Sequence, residues 1–241
     1  MSLPELKAQV AAANLAIWRG GLVTLNFGNA SGVDRDAGVV VIKPSGVAYE
    51  GLHAEDMVVV ALDDGRVVEG TLRPSTDTPT HRRLYRELQG IGGIVHTHSL
   101  EATAWAQAGR AIPCLGTTHA DFFRGAVPVS RPLSAAEISG DYEWETGRVI
   151  AETLRDHGRT AADSPAVLVS SHGPFTWGDS PAAAVEVAIA LEAVAAMALR
   201  TLLIEASATE IGSDLLARHF ERKHGPTAYY GQPTAAAGTH R

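Results

Sequence analysis

Apolar and polar positions alternate along this chain in short stretches, and the stretches change rhythm several times. Pro4 to Arg19 predicts a first helix, with proline near its start and Gly20-Gly21 closing it. Short β-type runs follow in LVTLNFG, GVVVIKP, DMVVVAL and RVVEG, cut by Gly, Asp and Pro as hairpins and loops require. TPTHRRLYREL predicts a helix, IGGIV a strand, and EATAWAQAG another short helix. AIPCLG and AVPVS predict strands, YEWETGRVIAETLRDHG a helix, and AVLVSSHG a buried strand. A long alanine-rich helix spans Pro181 to Ala206, and a last helix spans Ser213 to Lys223. Strands cluster early and mix with helices throughout, which predicts an α/β layer architecture. No linker or internal repeat divides the chain, so a single domain is expected over 1–232, with TAAAGTHR in a disordered tail over 233–241.

Composition narrows the function classes. At 241 residues and 45% hydrophobic, the chain can bury a substantial core. A net charge of −7 with no basic run argues against nucleic-acid binding, which needs a clustered positive face. Cys114 is the sole cysteine, so no intrachain disulfide forms and a reducing compartment is expected. MSLPELKAQV lacks the apolar core of a signal peptide, and the expected location is the cytoplasm. The long apolar segment carries Glu186, Glu192, Arg200 and Glu205, which are costly in lipid. It predicts a helix buried in a core or a subunit interface, with no membrane partner.

The chemistry begins in GGIVHTHS, Gly92 to Ser99. Side chains two apart on a strand point to one face, so His96 and His98 project together near its end. Two neutral imidazoles there supply half of a four-ligand metal shell, or they are a pair of hydrogen-bonding histidines. With one cysteine in the chain, further ligands must be His or carboxylate drawn from a distance. His172 ends the run AVLVSSH, a strand terminus like that of the histidine pair. Asp77, in RPSTDTPTH, stands before a helix as an N-cap or as a ligand.

The strings GNASG, IKPSG, RPSTDTPTH, HTHS, GTTHADFFRG, YEWETG, SSHGPFTWG and RKHGPTAYYGQ occur in order over about Asn26 to Gln232. Together they resemble the L-ribulose-5-phosphate 4-epimerases of the class II aldolase/adducin superfamily. The resemblance implies a three-layer α/β/α fold around a mostly antiparallel sheet, and a cyclic homotetramer with active sites between subunits. It implies one divalent metal per subunit, zinc or else manganese, on Asp77, His96, His98 and His172. It implies acid/base roles for Asp121 and Tyr230. Contacts to a phosphorylated pentulose are implied for Gly28, Asn29, Lys43, Ser45, Gly46, Ser75 and Thr76, with Thr117, Glu143 and His219 near the site. Relatives often carry two serines where Ser75-Thr76 stands here.

The implied chemistry suits these residue types. The C4 hydrogen of a 2-keto sugar is not adjacent to the carbonyl, so direct deprotonation gives an unstabilised carbanion. Cleaving C3–C4 instead yields an enediolate and glycolaldehyde phosphate, and re-addition to the other aldehyde face gives the C4 epimer. Dedicated aldolases of the superfamily typically carry glutamate as a base where this chain has Asp77, which favours the epimerase. The alternatives are a sugar-phosphate aldolase or dehydratase on the same fold, and a noncatalytic adducin-like interaction domain.

Overall fold

The computed structural model describes residues 2–226 and 228–229. In chain order its helices and strands begin with α1 (Leu3–Arg19), β1 (Asn29–Asp34), β2 (Val39–Ile42), β3 (Val58–Ala61), β4 (Val67–Glu69) and α2 (Thr78–Glu87). Next come β5 (Gly93–His96), α3 (Leu100–Gln107), α4 (Thr117–Ala120), α5 (Ala135–Ser139) and α6 (Tyr142–Asp156). The hairpin β6 (Ala166–Val169) and β7 (Gly173–Gly178) leads to α7 (Pro181–Ile204) and α8 (Ser213–His224). The strands form one sheet in the order β4-β3-β2-β1-β5-β7-β6, and every neighbouring pair is antiparallel.

The apolar runs explain the layers. Val39, Val41 and Val59 face α1 and the first turns of α7, while Val40, Val58 and Val60 face α2 and α6. A strand covered on both faces needs apolar residues at every position, which is why β2 and β3 read as unbroken valine runs. Gly32 in β1 belongs to this packing, because a Cβ there would strike Leu6, Val10 and Pro181 where α1 and α7 press on the strand. The result is the three-layer α/β/α arrangement around an antiparallel sheet.

α7 is long and apolar enough to cross a bilayer by composition. One side of it nevertheless packs into the core through Ala184, Val185, Ala188, Leu191, Val194, Ala195 and Ala198. Its Glu192 accepts the Glu101 and Ala102 N–H groups at 2.8 and 3.0 Å, satisfying donors at the start of α3. Ile189, Met197, Leu203 and Ile204 on the same helix are exposed.

Some expected elements differ. LVTLNFG is a loop rather than a strand, for Leu25 and Gly28 take φ of 55° and 81°. The strand beside it is NASGVD, whose buried Asn29 and Ser31 disguise it as a turn. AIPCLG and AVPVS form only the isolated bridges Ile112↔Val127 and Val129↔Leu168, next to prolines that have no N–H to give a ladder. β7 had no expectation at all, because Gly173-Pro174 reads as a turn.

Candidate metal centre

Three strand ends and one helix start meet at a single cleft. β5 ends on His96, and the chain carries His98 two residues further on. The β6–β7 turn delivers His172, whose N–H closes on the Val169 carbonyl at 3.0 Å. That turn requires φ of 59° at Ser171, a left-handed position more usual for glycine or asparagine. α2 places Asp77 at its N-cap position, and β1 places Asn29 opposite His96. Gly28 lets the chain enter β1 there, since a Cβ would collide with the His96 carbonyl oxygen.

One ring nitrogen from each of His96, His98 and His172 falls within 4.8 Å of the others. The ring centroids lie 4.8 to 5.0 Å apart and the planes are steeply inclined, between 71° and 85°. His96 Nε2 and His98 Nε2 are 3.1 Å apart. His96 Nδ1 donates to the Pro174 carbonyl at 3.0 Å, so its Nε2 lone pair faces His98. Phe175 stacks flat on His96 at 4.1 Å and holds the ring in place. Burial, with the other two imidazoles, pushes His172 down to about 4, and burial also lowers His98. Both are therefore neutral at physiological pH, the form that ligates a cation. Three imidazole nitrogens converging on one point fit a divalent transition metal.

Asp77 faces the same cleft, with its carboxylate outside the close imidazole trio. It makes no side-chain cap bond to α2; Oδ2 instead accepts Asn29 Nδ2 at 2.6 Å. Burial raises its pKa, but His96, His81, the Asn29 bond and His172 together hold it below the ordinary aspartate value. The carboxylate is thus kept charged beside the imidazoles.

The cleft holds about 440 Å³ and brings together Gly28, Asn29, Lys43, Ser45, Gly46, Ser75, Thr76, Asp77, His96, His98, Glu143 and His172. Lys43 is buried, donates to the Val47 carbonyl at 2.6 Å, and sits 4.7 Å from the Tyr49 ring centre. Burial lowers it to about 8. Ser75 Oγ accepts Asn29 Nδ2 at 3.1 Å, which ties the loop ahead of α2 to the Asp77 tether. Glu143 reaches the rim because Thr80 of α2 donates to its carbonyl.

Thr117, Asp121 and His219 do not line this cleft. Asp121 lies at the end of α4, where Arg222 grips it through two nitrogens at 3.0 and 2.7 Å and His219 Nδ1 lies 3.0 Å away. Burial raises its pKa, yet the Arg222 and His219 bonds outweigh that and keep the carboxyl below its usual range. Tyr230 lies outside the described residues.

Sequence reasoning missed Tyr142 and His81. Tyr142 lines the cleft with its hydroxyl 3.3 Å from His172 Nδ1, and its only signal was its place before Glu143. His81 stands one helical turn after Asp77, is fully buried, and is pushed down to about 3 chiefly by that burial. The signal there was the i, i+4 spacing of Asp and His in DTPTH.

The seven-stranded antiparallel sheet clad by helices is the class II aldolase fold, and in this chain three histidines gather at its strand ends. The chain belongs to the family described as class II aldolase and adducin N-terminal domain, whose model matches residues 8–199. It is similar to an L-fuculose 1-phosphate aldolase at 21% identity and a TM-score of 0.75, over 90% of this chain and 95% of that one. It is similar at 26% identity and a TM-score of 0.68 to YgbL from Klebsiella pneumoniae, provisionally assigned as an aldolase/epimerase/decarboxylase, over 90% and 99%. A third similar structure is the L-fuculose-1-phosphate aldolase of Thermus thermophilus, at 25% identity and a TM-score of 0.67, over 86% and 100%.

Proposed function

We propose that the chain is a divalent-metal-dependent epimerase that interconverts L-ribulose 5-phosphate and D-xylulose 5-phosphate by breaking and remaking the C3–C4 bond. One juxtaposition carries the reading: Asp77 enters the cleft of His96, His98 and His172 as a short carboxylate tethered by Asn29 at 2.6 Å. A glutamate used as a base must reach the substrate. A tethered aspartate, one methylene shorter, is suited to stay with the imidazoles as a ligand.

In this reading His96, His98, His172 and Asp77 hold one zinc ion per subunit, and manganese accepts the same nitrogen and oxygen donors. When bound, the ion supplies Lewis acidity toward the negative charge released on the sugar oxygens. Gly28, Ser45, Gly46, Ser75 and Thr76 offer N–H and hydroxyl donors to the phosphate, and Glu143 completes the rim, while Thr117 lies off this chain's cleft on the side of Asp121. Lys43, at about 8, is charged at neutral pH and supplies a cation. Asn29 orients Asp77, and Tyr142 orients His172 from its Nδ1 side.

Asp121 and Tyr230 act at the C4 oxygen from opposite faces, with His219 and Arg222 orienting Asp121. Because Asp121 does not line its own chain's cleft, the reading has it serve a neighbouring subunit in a homotetramer. The exposed apolar residues of α7 give such an assembly a surface to bury. The buried free thiol of Cys114 suits a cytoplasmic enzyme.

The test is a coupled assay of zinc-loaded protein on L-ribulose 5-phosphate, run beside an aldol-cleavage assay on L-fuculose 1-phosphate. Epimerisation is expected. Cleavage without epimerisation would overturn the reading in favour of an aldolase, the alternative that the likeness to the Thermus thermophilus enzyme supports.

A further inference from the structure

Behind the cleft, α2 and β1 meet through two polar rungs inside an otherwise apolar layer. Asn29 and Ser31 stand two apart on β1, and Asp77 and His81 stand one turn apart on α2. Asn29 Nδ2 donates to Asp77 Oδ2 at 2.6 Å, and Ser31 Oγ lies 2.7 Å from His81 Nδ1. Another turn along α2, the Tyr85 hydroxyl lies 2.8 Å from the same Ser31 oxygen. Ser31, His81 and Tyr85 are all fully buried.

Proton bookkeeping sets the direction of this chain. If Tyr85 donates to Ser31 and Ser31 donates to His81 Nδ1, the imidazole carries its proton on Nε2. The opposite direction leaves both the Tyr85 hydroxyl proton and the Nε2 lone pair without partners. Among the described residues, His81 Nε2 is a buried ring nitrogen with no hydrogen-bond partner. Buried donors rarely stay unmatched without a reason. His81 feels the negative charge of Asp77. Its ring also packs edge-on against Phe175 at 5.9 Å, and Phe175 in turn stacks on His96.

We propose that His81 is the positioning residue for Asp77, its Nε2–H being the donor kept for that carboxylate when Asp77 serves as a metal ligand. Asn29 then holds the carboxylate from the strand side and His81 from the helix side. The proposal rests on the reading of Asp77 as a ligand.

The experiment titrates chelator-stripped full-length protein with Zn²⁺ against a chromophoric chelator, records the visible spectrum of the Co²⁺ form, and measures the metal-free Tm. His81→Phe keeps a ring of similar size and removes the donor; its zinc affinity is expected to fall about 10- to 100-fold, with an altered cobalt spectrum. His81→Gln can accept from Ser31 through Oε1 and donate through its amide, and is expected to retain most of the affinity. If His81→Phe does not fold, His81→Gln and Ser31→Ala carry the test, with Ser31→Ala expected to weaken zinc by freeing the tautomer. Wild-type zinc binding in His81→Phe beside weakened binding in Asp77→Asn would refute the role of His81 alone. Unchanged binding in Asp77→Asn would remove Asp77 as a ligand, and the proposal with it. Equal losses of affinity and of metal-free Tm in the Phe and Gln variants would mark a purely structural histidine and overturn the proposal.

Discussion

His96 and Pro174 are joined across two strands by one hydrogen bond of 3.0 Å, from the imidazole Nδ1–H to the proline carbonyl. Because the acceptor is backbone, no side-chain change at 174 removes it, and the histidine tautomer is a property of the β5–β7 pairing itself. Nε2 therefore offers its lone pair to the cleft.

The three imidazoles are predicted to differ in what their loss costs. Replacing any of His96, His98 or His172 by Ala should abolish tight zinc binding in a chelator-competition titration. His98 is the least buried of the three, so His98→Ala should lower the metal-free Tm least. His96 is buried against Phe175, so His96→Ala should also destabilise the metal-free protein by about 2 kcal/mol in denaturant unfolding. Unimpaired zinc binding in all three variants would dismiss the site.

Ser171 holds a left-handed φ of 59° immediately before His172, with its N–H bound to the Ala106 carbonyl at 3.0 Å. Ser171→Gly relieves the strain but loosens the unfolded chain, so stability should change by less than about 1 kcal/mol. Ser171→Val puts a β-branched residue where such residues are outliers, at a cost of roughly 1–3 kcal/mol. Its zinc affinity should fall too, since relaxation of the turn swings His172. A valine variant with wild-type stability and affinity would show that the turn does not aim the ligand.

Much of this centre could be read before folding, and the unread part has a physical cause. HTHS places two imidazoles on one face by strand geometry alone, and the apolar AVLV announced the strand that carries His172. Asp77 was ambiguous as cap or ligand, and the structure shows a capping position without a capping bond. β1 was hidden because Asn29 and Ser31 are buried polar residues whose partners Asp77 and His81 lie far off in sequence, and no local pattern encodes such pairs. The same holds for Asp121, whose partners His219 and Arg222 come from α8, near the far end of the chain.

Arg222 should set the pH at which Asp121 can accept a proton. Its two bonds help keep the carboxylate ionised, so Arg222→Gln raises the Asp121 pKa. If Asp121 acts as a base, the acidic limb of kcat/KM should move to higher pH in the variant. Measurement of the full profile checks this. An unmoved limb, with activity otherwise reduced, would mean that Asp121 is not the group titrating.

His119 supplies a pH dependence of stability independent of the cleft. It is buried in α4, its Nε2 donates to the Gly125 carbonyl at 2.9 Å, and burial lowers its pKa to about 4. An unfolded histidine titrates near ~6.5. Below that pH the unfolded chain takes up a proton that the folded chain refuses until about 4, so folding weakens across this window. Above pH ~6.5 the residue contributes no slope, and below about 4 its full loss, up to about 3 kcal/mol, has been taken. His119→Gln can keep the donor to Gly125 without the titration. Denaturant unfolding of metal-free protein between pH 4 and pH 7 should show a shallower fall for the variant, and parallel curves would assign the acid sensitivity elsewhere.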